Sequence, residues 1–425
     1  MRIIDNPSRA DWDALCRRLG VDYEGIRPRV EAILRAVEEE GDAALKRLMK
    51  DIDGVEAPLE VTAAEVNEAA AAVPQAVRDA ILAAKKNIEA FHKAQMPREI
   101  RVETTPGVTC IQRPVAINRV GLYIPGGSAP LFSTVLMLAV PAALAGCRER
   151  VLCTPCRRDG TIAPEVLFAA RECGITRVFR IGGAQAVAAL AFGTESVPKV
   201  DKIFGPGNPY VTLAKQLVSG RNTAIDMPAG PSEVMVLADA TANPAFVAAD
   251  LLSQAEHGKD STAVLACTER MFAEKVLQEI DNQKKALPRD AQVDGALEHS
   301  FAVLLPGRQD LIDFAEAYAP EHLIIATEDA VGLADNITAA GSVFIGPWSP
   351  ESAGDYASGT NHTLPTSGWA RSCSGVNMDS FFRKMTLQEI TREGLASMAP
   401  TIVNMAAAEG LDAHARAVTI RIEGK

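Results

Sequence analysis

The stretch Val178-Phe-Arg-Ile-Gly-Gly-Ala-Gln185 joins a short apolar strand to a glycine-rich turn, and a helix rich in alanine and leucine follows. The same unit recurs in Val120–Ile124 before Pro125-Gly-Gly-Ser-Ala-Pro130, in Arg150–Cys153 before Thr154-Pro-Cys156, and in Lys202–Phe204 before Gly205-Pro-Gly-Asn208. Strands that alternate with helices predict a mainly parallel sheet with helices on both faces. Ligands bind outside the carboxyl ends of such strands, and glycines there let a ligand approach the backbone closely.

The turns carry no complete nucleotide fingerprint. G-x-G-x-x-G is absent, and so is G-x-x-x-x-G-K-[ST]. Gly205-Pro-Gly-Asn208 supplies only the first half, and Pro209 follows where a helix should begin. A dinucleotide site here is therefore expected to be atypical. Glycines that serve only as tight turns explain any single loop equally well, but three such loops in one sheet favour a ligand.

A second series of strands and helices follows: Thr262–Cys267, Phe301–Leu305, Leu323–Ala326 and Ser342–Ile345. Two α/β domains are therefore expected, one inserted into the other. The predicted bounds are 1–20 for an N-terminal arm, 21–119 with 233–376 for the first, discontinuous domain, 120–232 for the inserted domain, and 377–425 for a helical C-terminal tail.

Local signals predict several helix ends. Thr62-Ala-Ala-Glu65 is a capping box, and Pro74 opens a further helix. His92, beside the apolar stripe of that helix, is predicted to be a surface residue. In the tail, Thr386-Leu-Gln-Glu389 is another capping box, and Gly410 ends a helix.

The composition limits partners and compartment. Among 425 residues, 43 Lys and Arg face 54 Asp and Glu, a formal charge of −11, so neither nucleic acid nor a membrane is expected as a partner. No bilayer-spanning apolar stretch and no signal-peptide core is present, so a cytoplasmic protein is expected. The 8 cysteines are sparse and are expected to be free thiols. Cys153 and Cys156 form an isolated, incidental C-x-x-C.

A candidate metal site lies in Asp250-Leu-Leu-Ser-Gln-Ala-Glu-His-Gly-Lys-Asp-Ser261. The pattern predicts a helix that ends at Gly258, and Gln254 and His257 share one face of it. An amide oxygen and an imidazole nitrogen there suit a divalent metal, with two further ligands from elsewhere. The alternative is that Gln254 caps a carbonyl and His257 is a satisfied histidine at a helix end.

Further histidines lie in unusual settings. His322 follows Glu321 at the entry to a strand. His362 closes a polar loop that also contains Asp355, a plausible carboxylate ligand, and loops of this kind carry function disproportionately. The last candidates are His414, on the final helix, and Glu409 before it. For each histidine alone, a solvated or core-satisfied side chain is the more common arrangement.

Four stretches together closely resemble histidinol dehydrogenases: Asp250–Ser261, Tyr318-Ala-Pro-Glu-His-Leu323, Ser349–Thr366 and Ala408-Glu-Gly-Leu-Asp-Ala-His414. Gly121-Leu-Tyr-Ile-Pro-Gly-Gly-Ser128 and Phe204-Gly-Pro-Gly-Asn208 also fit that family, and the resemblance extends from about Arg29 to Arg421. It implies an α/β fold of two incomplete Rossmann-like domains with mainly parallel sheets, plus a small N-terminal arm and a helical C-terminal tail. Incomplete domains agree with the missing fingerprint.

The resemblance also implies the reaction. A homodimer would oxidise L-histidinol to L-histidine in two successive NAD-dependent steps through a bound aldehyde, the last steps of histidine biosynthesis. One Zn²⁺ would bind per subunit, with Mn²⁺ as a possible substitute, and the inserted domain would bind NAD. By resemblance the zinc ligands would be Gln254, His257, Asp355 and, from the exchanged tail of the partner subunit, His414. The acid/base pair would be Glu321 and His322. The substrate would contact the ligands, His322, Ser232, His362 and Glu409, while NAD would contact Tyr123, Gln185 and Asn208.

The chemistry suits these residue types. Alcohol oxidation needs a base for the hydroxyl proton, and histidine has an ordinary pKa of about 6.5. The aldehyde must then be hydrated, and Glu321 would activate that water better with a raised pKa. Zinc cannot accept electrons, so it is expected to hold the imidazole and amino nitrogens of the substrate. Cys110, Cys147 and Cys153 are expected to be packing residues rather than thiol nucleophiles.

Three alternatives stay open. A paralogue would oxidise another small alcohol on the same scaffold, although His362 and Glu409 favour histidinol. A zinc hydrolase would use Glu321 as the base, but it leaves the glycine-bearing strand ends unexplained. A non-catalytic dimeric binding protein fits poorly with an intact acid/base pair and ligand set.

Overall fold

The computed structural model describes residues 1–18, 20, 22–126, 130–228, 230–288 and 290–424. Contacts within the chain divide it into two units, Met1–Gln95 with Asn118–Met378, and Met96–Ile117 with Asp379–Lys425. The strands are, in chain order, β1 (Arg2–Asp5), β2 (Ile100–Thr105), β3 (Val108–Ala116), β4 (Arg119–Tyr123), β5 (Glu149–Thr154), β6 (Arg177–Arg180), β7 (Lys202–Phe204), β8 (Ala224–Ile225), β9 (Glu233–Ala238), β10 (Thr262–Cys267), β11 (Phe301–Leu304), β12 (His322–Ala326), β13 (Ser342–Ile345) and β14 (Phe382–Ile390). The α-helices are α1 (Trp12–Leu15), α2 (Tyr23–Glu40), α3 (Asp42–Leu48), α4 (Ala63–Ala72), α5 (Gln75–Ala94), α6 (Phe132–Ala145), α7 (Pro164–Glu172), α8 (Gly183–Phe192), α9 (Pro209–Ser219), α10 (Pro244–Ala255), α11 (Arg270–Gln283), α12 (Asp290–His299), α13 (Arg308–Tyr318), α14 (Ala330–Ala334), α15 (Glu351–Tyr356), α16 (Arg392–Ala408) and α17 (Asp412–Glu423).

Sheet I (β4–β8) has five parallel strands in the order β6-β5-β4-β7-β8. This is the order of the first five strands of a doubly wound dinucleotide-binding fold. No sixth strand extends it in the part of the chain that the structure describes. The apolar side chains of α2, α8 and α9 form one core with the sheet. Glycine-rich turns follow the carboxyl ends of β6 and β7; of the predicted glycine-rich loop after β4, residues 127–129 lie outside the described residues.

Sheet II (β1 and β9–β13) is also parallel, in the order β1-β11-β10-β9-β12-β13. Without β1 it repeats the five-strand order of sheet I. The first residues, predicted to be an arm, contain β1, which pairs with β11 along its length. β9 (Glu233–Ala238) is not among the predicted strands, although its continuous apolar run is of the kind found in fully buried strands.

The two faces of sheet II explain that continuous run. Val234 and Val236 pack into the core shared with α10, α11 and α12. Met235 and Leu237 point the other way, into the core shared with α1 and α13. Successive side chains of a strand point to opposite faces. A parallel strand covered by helices on both faces is therefore apolar at every position.

The second unit pairs a hairpin with the C-terminal region. Its antiparallel sheet has the order β14-β3-β2, and α16 packs against α17. The predicted helix start at Thr386–Glu389 is wrong, because these residues pair with β3 as part of β14, and α16 begins after the cap Thr391. The same pairing groups Met96–Ile117 with the tail rather than with the first predicted domain. The other predicted boundaries stay predictions.

The fold class is confirmed: an α/β chain with two mainly parallel sheets and helices at its C-terminal end. The capping box at Thr62 opens α4. Pro209 does not prevent a helix but occupies the first position of α9, where its missing N–H is not needed. The surface prediction for His92 is wrong, since that side chain is fully buried. Among the described helices, none is both long and apolar enough to cross a membrane.

Candidate active site

A cavity of about 660 Å³ lies at the carboxyl edge of sheet I. Tyr123, Gln185 and Asn208, predicted to contact a dinucleotide, all line it. The Tyr123 hydroxyl accepts a hydrogen bond of 3.1 Å from the Gly183 N–H. Burial raises the pKa of Tyr123 to about 12, so its ring stays uncharged near neutral pH. Asn208 caps α9 by accepting the Val211 N–H at 3.1 Å.

The turn after β7 is held very close to β4. Gly205 has φ +128°, and a Cβ there would lie 2.0 Å from the Tyr123 carbonyl oxygen, so only glycine fits. The Asp226 carboxylate accepts the Gly205 N–H at 2.8 Å, and Lys215 Nζ donates to the Gly205 carbonyl at 2.8 Å. Lys215 and Asp226 also form a buried ion pair. Both backbone groups of Gly205 are therefore fixed.

A second cavity, of about 540 Å³, reaches the amino edge of sheet II. Ser232, Ser261 and Glu321 directly precede β9, β10 and β12, and His322 opens β12; all four line the cavity. Asn208 lines both cavities, so the two spaces adjoin. The remaining polar lining includes His257, Asp355 and His362.

Two predicted ligands meet in this cavity: His257, which follows α10, and Asp355, on α15. His257 Nε2 lies 3.8 Å from Asp355 Oδ2. His257, Asp355 and Glu351 place one donor atom each within 4.8 Å of one another. Glu351 is absent from the predicted ligand set. The sequence could have indicated Glu351, because it lies four residues before Asp355 and residues four apart on a helix share a face.

Gln254 lies on the last turn of α10, which ends at Ala255 rather than at Gly258. Its side chain is fully buried, and neither amide atom has a hydrogen-bond partner among the described residues. An unpaired buried amide costs free energy. Its unpaired oxygen, three residues before His257 in the sequence, is a donor type that a divalent cation of the zinc class accepts together with imidazole and carboxylate ligands. The capping alternative for Gln254 is therefore not supported.

Glu321 and His322 lie side by side in a buried setting. His322 Nδ1 is 3.7 Å from Glu321 Oε2 and 3.6 Å from Glu351 Oε1, and Nε2 is 3.8 Å from Asp355 Oδ1. Neither ring nitrogen has a hydrogen-bond partner within the described chain. Burial lowers the pKa of His322 to about 3, so the ring is neutral near pH 7. Burial raises the pKa of Glu321 well above its ordinary value.

A residue not predicted as part of the site orients Glu321. The Glu233 N–H donates to Glu321 Oε2 at 2.9 Å. The Glu233 carboxylate is itself held by Arg18 at 2.6 and 2.9 Å and by the Ser367 N–H at 3.1 Å. Arg18 stacks over the Tyr318 ring, 3.4 Å from its centroid. This network fixes the start of β9 beside the acid/base candidates.

His362 is fixed in one tautomer. Its Nδ1 lies 3.0 Å from the Asp355 carbonyl oxygen, which can only accept, so Nδ1 carries the proton. Its Nε2 then accepts from the Thr134 hydroxyl at 3.2 Å. Burial lowers the pKa of His362 to about 4, so this ring is also neutral near pH 7.

Similar proteins decide the family. A family model described as histidinol dehydrogenase matches residues 16–422. The chain belongs to the histidinol dehydrogenase family. A histidinol dehydrogenase of Bacteroides fragilis (strain YCH46) is 53% identical over 424 residues, which are 100% of this chain and 99% of that protein. One of Vibrio parahaemolyticus is 50% identical over 420 residues, 98% of this chain and 96% of that protein. The crystal structure of histidinol dehydrogenase from Elizabethkingia anophelis has a TM-score of 0.97 at 47% identity and covers 100% of this chain and 98% of that chain.

Membership of the histidinol dehydrogenase family confirms the resemblance and the predicted enzyme class, a dehydrogenase. It argues against the zinc hydrolase and the non-catalytic binding protein. The roles of single residues are not decided by membership and stay predictions. His414 and Glu409 belong to the second unit, where both are exposed.

The cysteines of this histidinol dehydrogenase family member are free thiols. Cys147 and Cys153 are buried. Burial raises the pKa of Cys147 to about 11 and raises that of Cys153 further, which disfavours the reactive thiolate. Cys110 is partly buried in β3 of the second unit. The structure supports packing roles for the first two.

Proposed function

We propose that this chain is a zinc-dependent enzyme that converts L-histidinol, two NAD⁺ and water into L-histidine and two NADH through bound histidinal, the last steps of histidine biosynthesis. One observation carries the proposal. A single cavity of about 540 Å³ gathers metal-ligand side chains and a buried Glu321–His322 pair, and it adjoins the cavity at the glycine-rich strand ends. The family membership of the chain supports the substrate.

The metal would be held by Gln254, His257 and Asp355, and by His414 of a partner subunit. The unpaired buried amide of Gln254 supports this assignment, and Glu351 offers a further carboxylate. Zinc, when bound, would supply a positive charge that holds the imidazole and amino nitrogens of the substrate. Because a neutral amide is a weaker ligand than a thiolate, Mn²⁺ is a plausible substitute.

His322 would act as the base of the first oxidation. Its two ring nitrogens have no hydrogen-bond partner within the described chain, so one of them would accept the hydroxyl proton while hydride leaves the carbinol carbon. NAD⁺, when bound, would accept that hydride. Tyr123, Gln185 and Asn208 would orient the cofactor, and Asn208 lies where the two cavities adjoin.

Glu321 would activate the water that hydrates histidinal. One of its oxygens accepts the Glu233 N–H, which leaves the other free to face a water. Its raised pKa makes the ionised carboxylate a stronger base than an ordinary glutamate. A second hydride would then leave from the hydrate.

Ser232 and His362 line the cavity and would contact the substrate together with Glu409. The exposure of His414 and Glu409 supports their donation to the site of a second subunit in a homodimer, through an exchanged tail. The acidic composition, without a basic run, supports a cytoplasmic location without nucleic-acid or membrane partners.

The decisive experiment counts NADH formed per L-histidinol consumed by zinc-loaded protein at limiting substrate. Two NADH, with histidine as product, are expected. One NADH with released aldehyde would contradict the hydration role of this site. Turnover of a different amino alcohol instead would favour the paralogue.

A further inference from the structure

Helix α6 contains a proline that frees one of its own carbonyl groups. In an α-helix the carbonyl of residue i accepts the N–H of residue i+4. Pro141 lies inside α6 and has no N–H. The Met137 carbonyl therefore has no helical donor at the usual position, and a buried carbonyl requires another one.

The side chain of Asn361 supplies that donor. Its Nδ2 lies 2.6 Å from the Met137 carbonyl oxygen and 3.3 Å from His92 Nε2. Its Oδ1 accepts the Thr363 N–H at 3.0 Å. The amide is thus bonded on both sides and has one orientation. Asn361 and His92 are both buried.

His92, on α5, is the second hydrogen-bond partner of the Asn361 side-chain amide. Its Nδ1 lies 2.9 Å from the Ile88 carbonyl oxygen, so Nδ1 carries the proton and Nε2 is left to accept from Asn361. This histidine has no part in the proposed chemistry. Its burial, which the sequence pattern does not predict, is explained by this contact.

The residue that follows Asn361 is His362, and α6 holds it as well. Thr134, one turn before Met137 on α6, donates to His362 Nε2 at 3.2 Å. His362 Nδ1 in turn donates to the Asp355 carbonyl at 3.0 Å. Asn361 and His362 are therefore both hydrogen-bonded to α6, and His362 is also hydrogen-bonded to the backbone of Asp355.

We infer that Asn361 is a positioning residue, which uses the carbonyl freed by Pro141 to hold His362 and the backbone of Asp355 in their working places. This inference rests on the proposed function, in which His362 contacts substrate and Asp355 binds metal. Loss of the Asn361 bonds leaves His362 attached to α6 through Thr134 alone. A small misplacement of such groups lowers turnover steeply.

The test separates positioning from stability. Asn361→Ala leaves the Met137 carbonyl unpaired, so both the unfolding midpoint and kcat are expected to fall, kcat by about 10- to 100-fold. In the double variant Asn361→Ala with Pro141→Ala, the new N–H at position 141 pairs that carbonyl. The midpoint is then expected to recover in part, because His92 Nε2 and the Thr363 N–H still lack their partner, while kcat stays as low as in the single variant. Recovery of kcat together with the midpoint would overturn the inference, because Asn361 would then be only structural.

Two controls complete the design. Pro141→Ala alone is expected to keep wild-type kcat, since a carbonyl oxygen can accept two hydrogen bonds. Asn336→Ala removes an exposed Asn-to-carbonyl bond of 2.7 Å to Gly332 and is expected to keep kcat. A normal kcat for Asn361→Ala would also overturn the inference. A normal kcat and KM for His362→Asn would instead contradict the proposed function, so the two failures are distinguishable.

Discussion

Sheets I and II share one strand order but present opposite edges to the two cavities. Sheet I uses its carboxyl edge, where glycine turns follow β6 and β7. Sheet II uses its amino edge, where Ser232, Ser261, Glu321 and His322 precede or open their strands. The usual carboxyl-edge rule for ligands therefore holds for the first sheet and not for the second.

The difference follows from what each edge offers. At the carboxyl edge, helices begin, and their free N–H groups favour the anionic phosphates of a dinucleotide. At the amino edge, helices end, and their partial negative charge favours a cation. Gln254 and His257 lie at such an end, on and just after α10. In the proposed function, the same architecture would thus provide an edge of sheet I for the cofactor, the cofactor edge, and an edge of sheet II for the metal, the metal edge.

Substitutions at each edge of sheet II in turn test whether the chemistry lies at the amino edge alone. Glu321→Gln and His322→Asn, at the amino edge, are expected to lower kcat by about 10²–10⁴-fold, the range of general acid–base catalysis. Steady-state NADH formation measures this, and histidinal is expected to accumulate with Glu321→Gln.

The matched change lies at the carboxyl edge. Asp239 follows β9 and accepts the Thr241 and Glu328 N–H groups, each at 2.9 Å. Both of its carboxylate oxygens therefore already have a backbone partner. Asp239→Asn is expected to keep near-normal kcat. A loss comparable to that of Glu321→Gln would mean that the carboxyl edge of sheet II also carries chemistry.

Metal retention tests the metal edge itself. His257→Ala removes a proposed ligand and is expected to weaken zinc binding by more than about 100-fold. Substitution of a residue that only orients a ligand already lowers metal affinity by up to about 100-fold. Zinc content after dialysis against a mild chelator measures this. Wild-type protein is expected to lose zinc on prolonged chelation and to regain activity with Mn²⁺. His299→Ala, at the exposed end of α12, is the control, and equal zinc loss in both variants would remove His257 from the ligand set.

Gly205→Ala tests the cofactor edge of sheet I. The new Cβ would lie 2.0 Å from the Tyr123 carbonyl oxygen at a φ of +128°, so a loss of unfolding free energy of roughly 3 kcal/mol is expected. The KM for NAD⁺ is expected to rise more than the KM for histidinol. Gly220→Ala meets nothing closer than 3.9 Å and is expected to change neither quantity. An unchanged KM for NAD⁺ in Gly205→Ala would separate this turn from the cofactor.

A pH dependence of the unfolding free energy is expected to distinguish the two cavities. Burial lowers the pKa of His362 from 6.5 to about 4. Between these values the unfolded chain binds a proton that the folded chain excludes, so the histidine contribution to unfolding free energy is full above pH 6.5 and falls as the pH drops. The slope is about 1.4 kcal/mol per pH unit. The raised pKa of Asp355, about 6, acts in the opposite direction.

The difference between wild type and His362→Asn isolates the histidine contribution in metal-free protein. That difference, measured by denaturant unfolding, is expected to shrink from pH 6.5 to pH 4. Tyr123→Phe is the counterpart in the other cavity. Because the pKa of Tyr123 is about 12, its difference from wild type is expected to be flat over the same range. A flat difference for His362→Asn would mean that this ring is protonated in the folded protein.

Much of the fold follows from the sequence because its signals are local. Glycine-rich stretches of the sequence mark the ends of β6 and β7, and β10 and β13 match their predicted bounds. The failures occur where distant partners decide. Thr386–Glu389 has the spacing of a helix cap, yet its backbone pairs with β3. β9, which is not among the predicted strands, is buried on both faces by helices from distant segments of the chain.

For the site, the sequence by itself determined which side chains are available. The spacing of Gln254 and His257, the adjacent Glu321 and His322, and the polar loop around Asp355 are all readable without a fold. Tertiary structure decided that His257, Asp355 and the Glu321–His322 pair meet at the amino edge of sheet II, and that Glu351 joins them. Pro141 frees a carbonyl by local chemistry alone, but its donor, Asn361, lies 224 residues from Met137. Side-chain identity is a local property, whereas the partner of a buried polar group is fixed only when the whole chain packs.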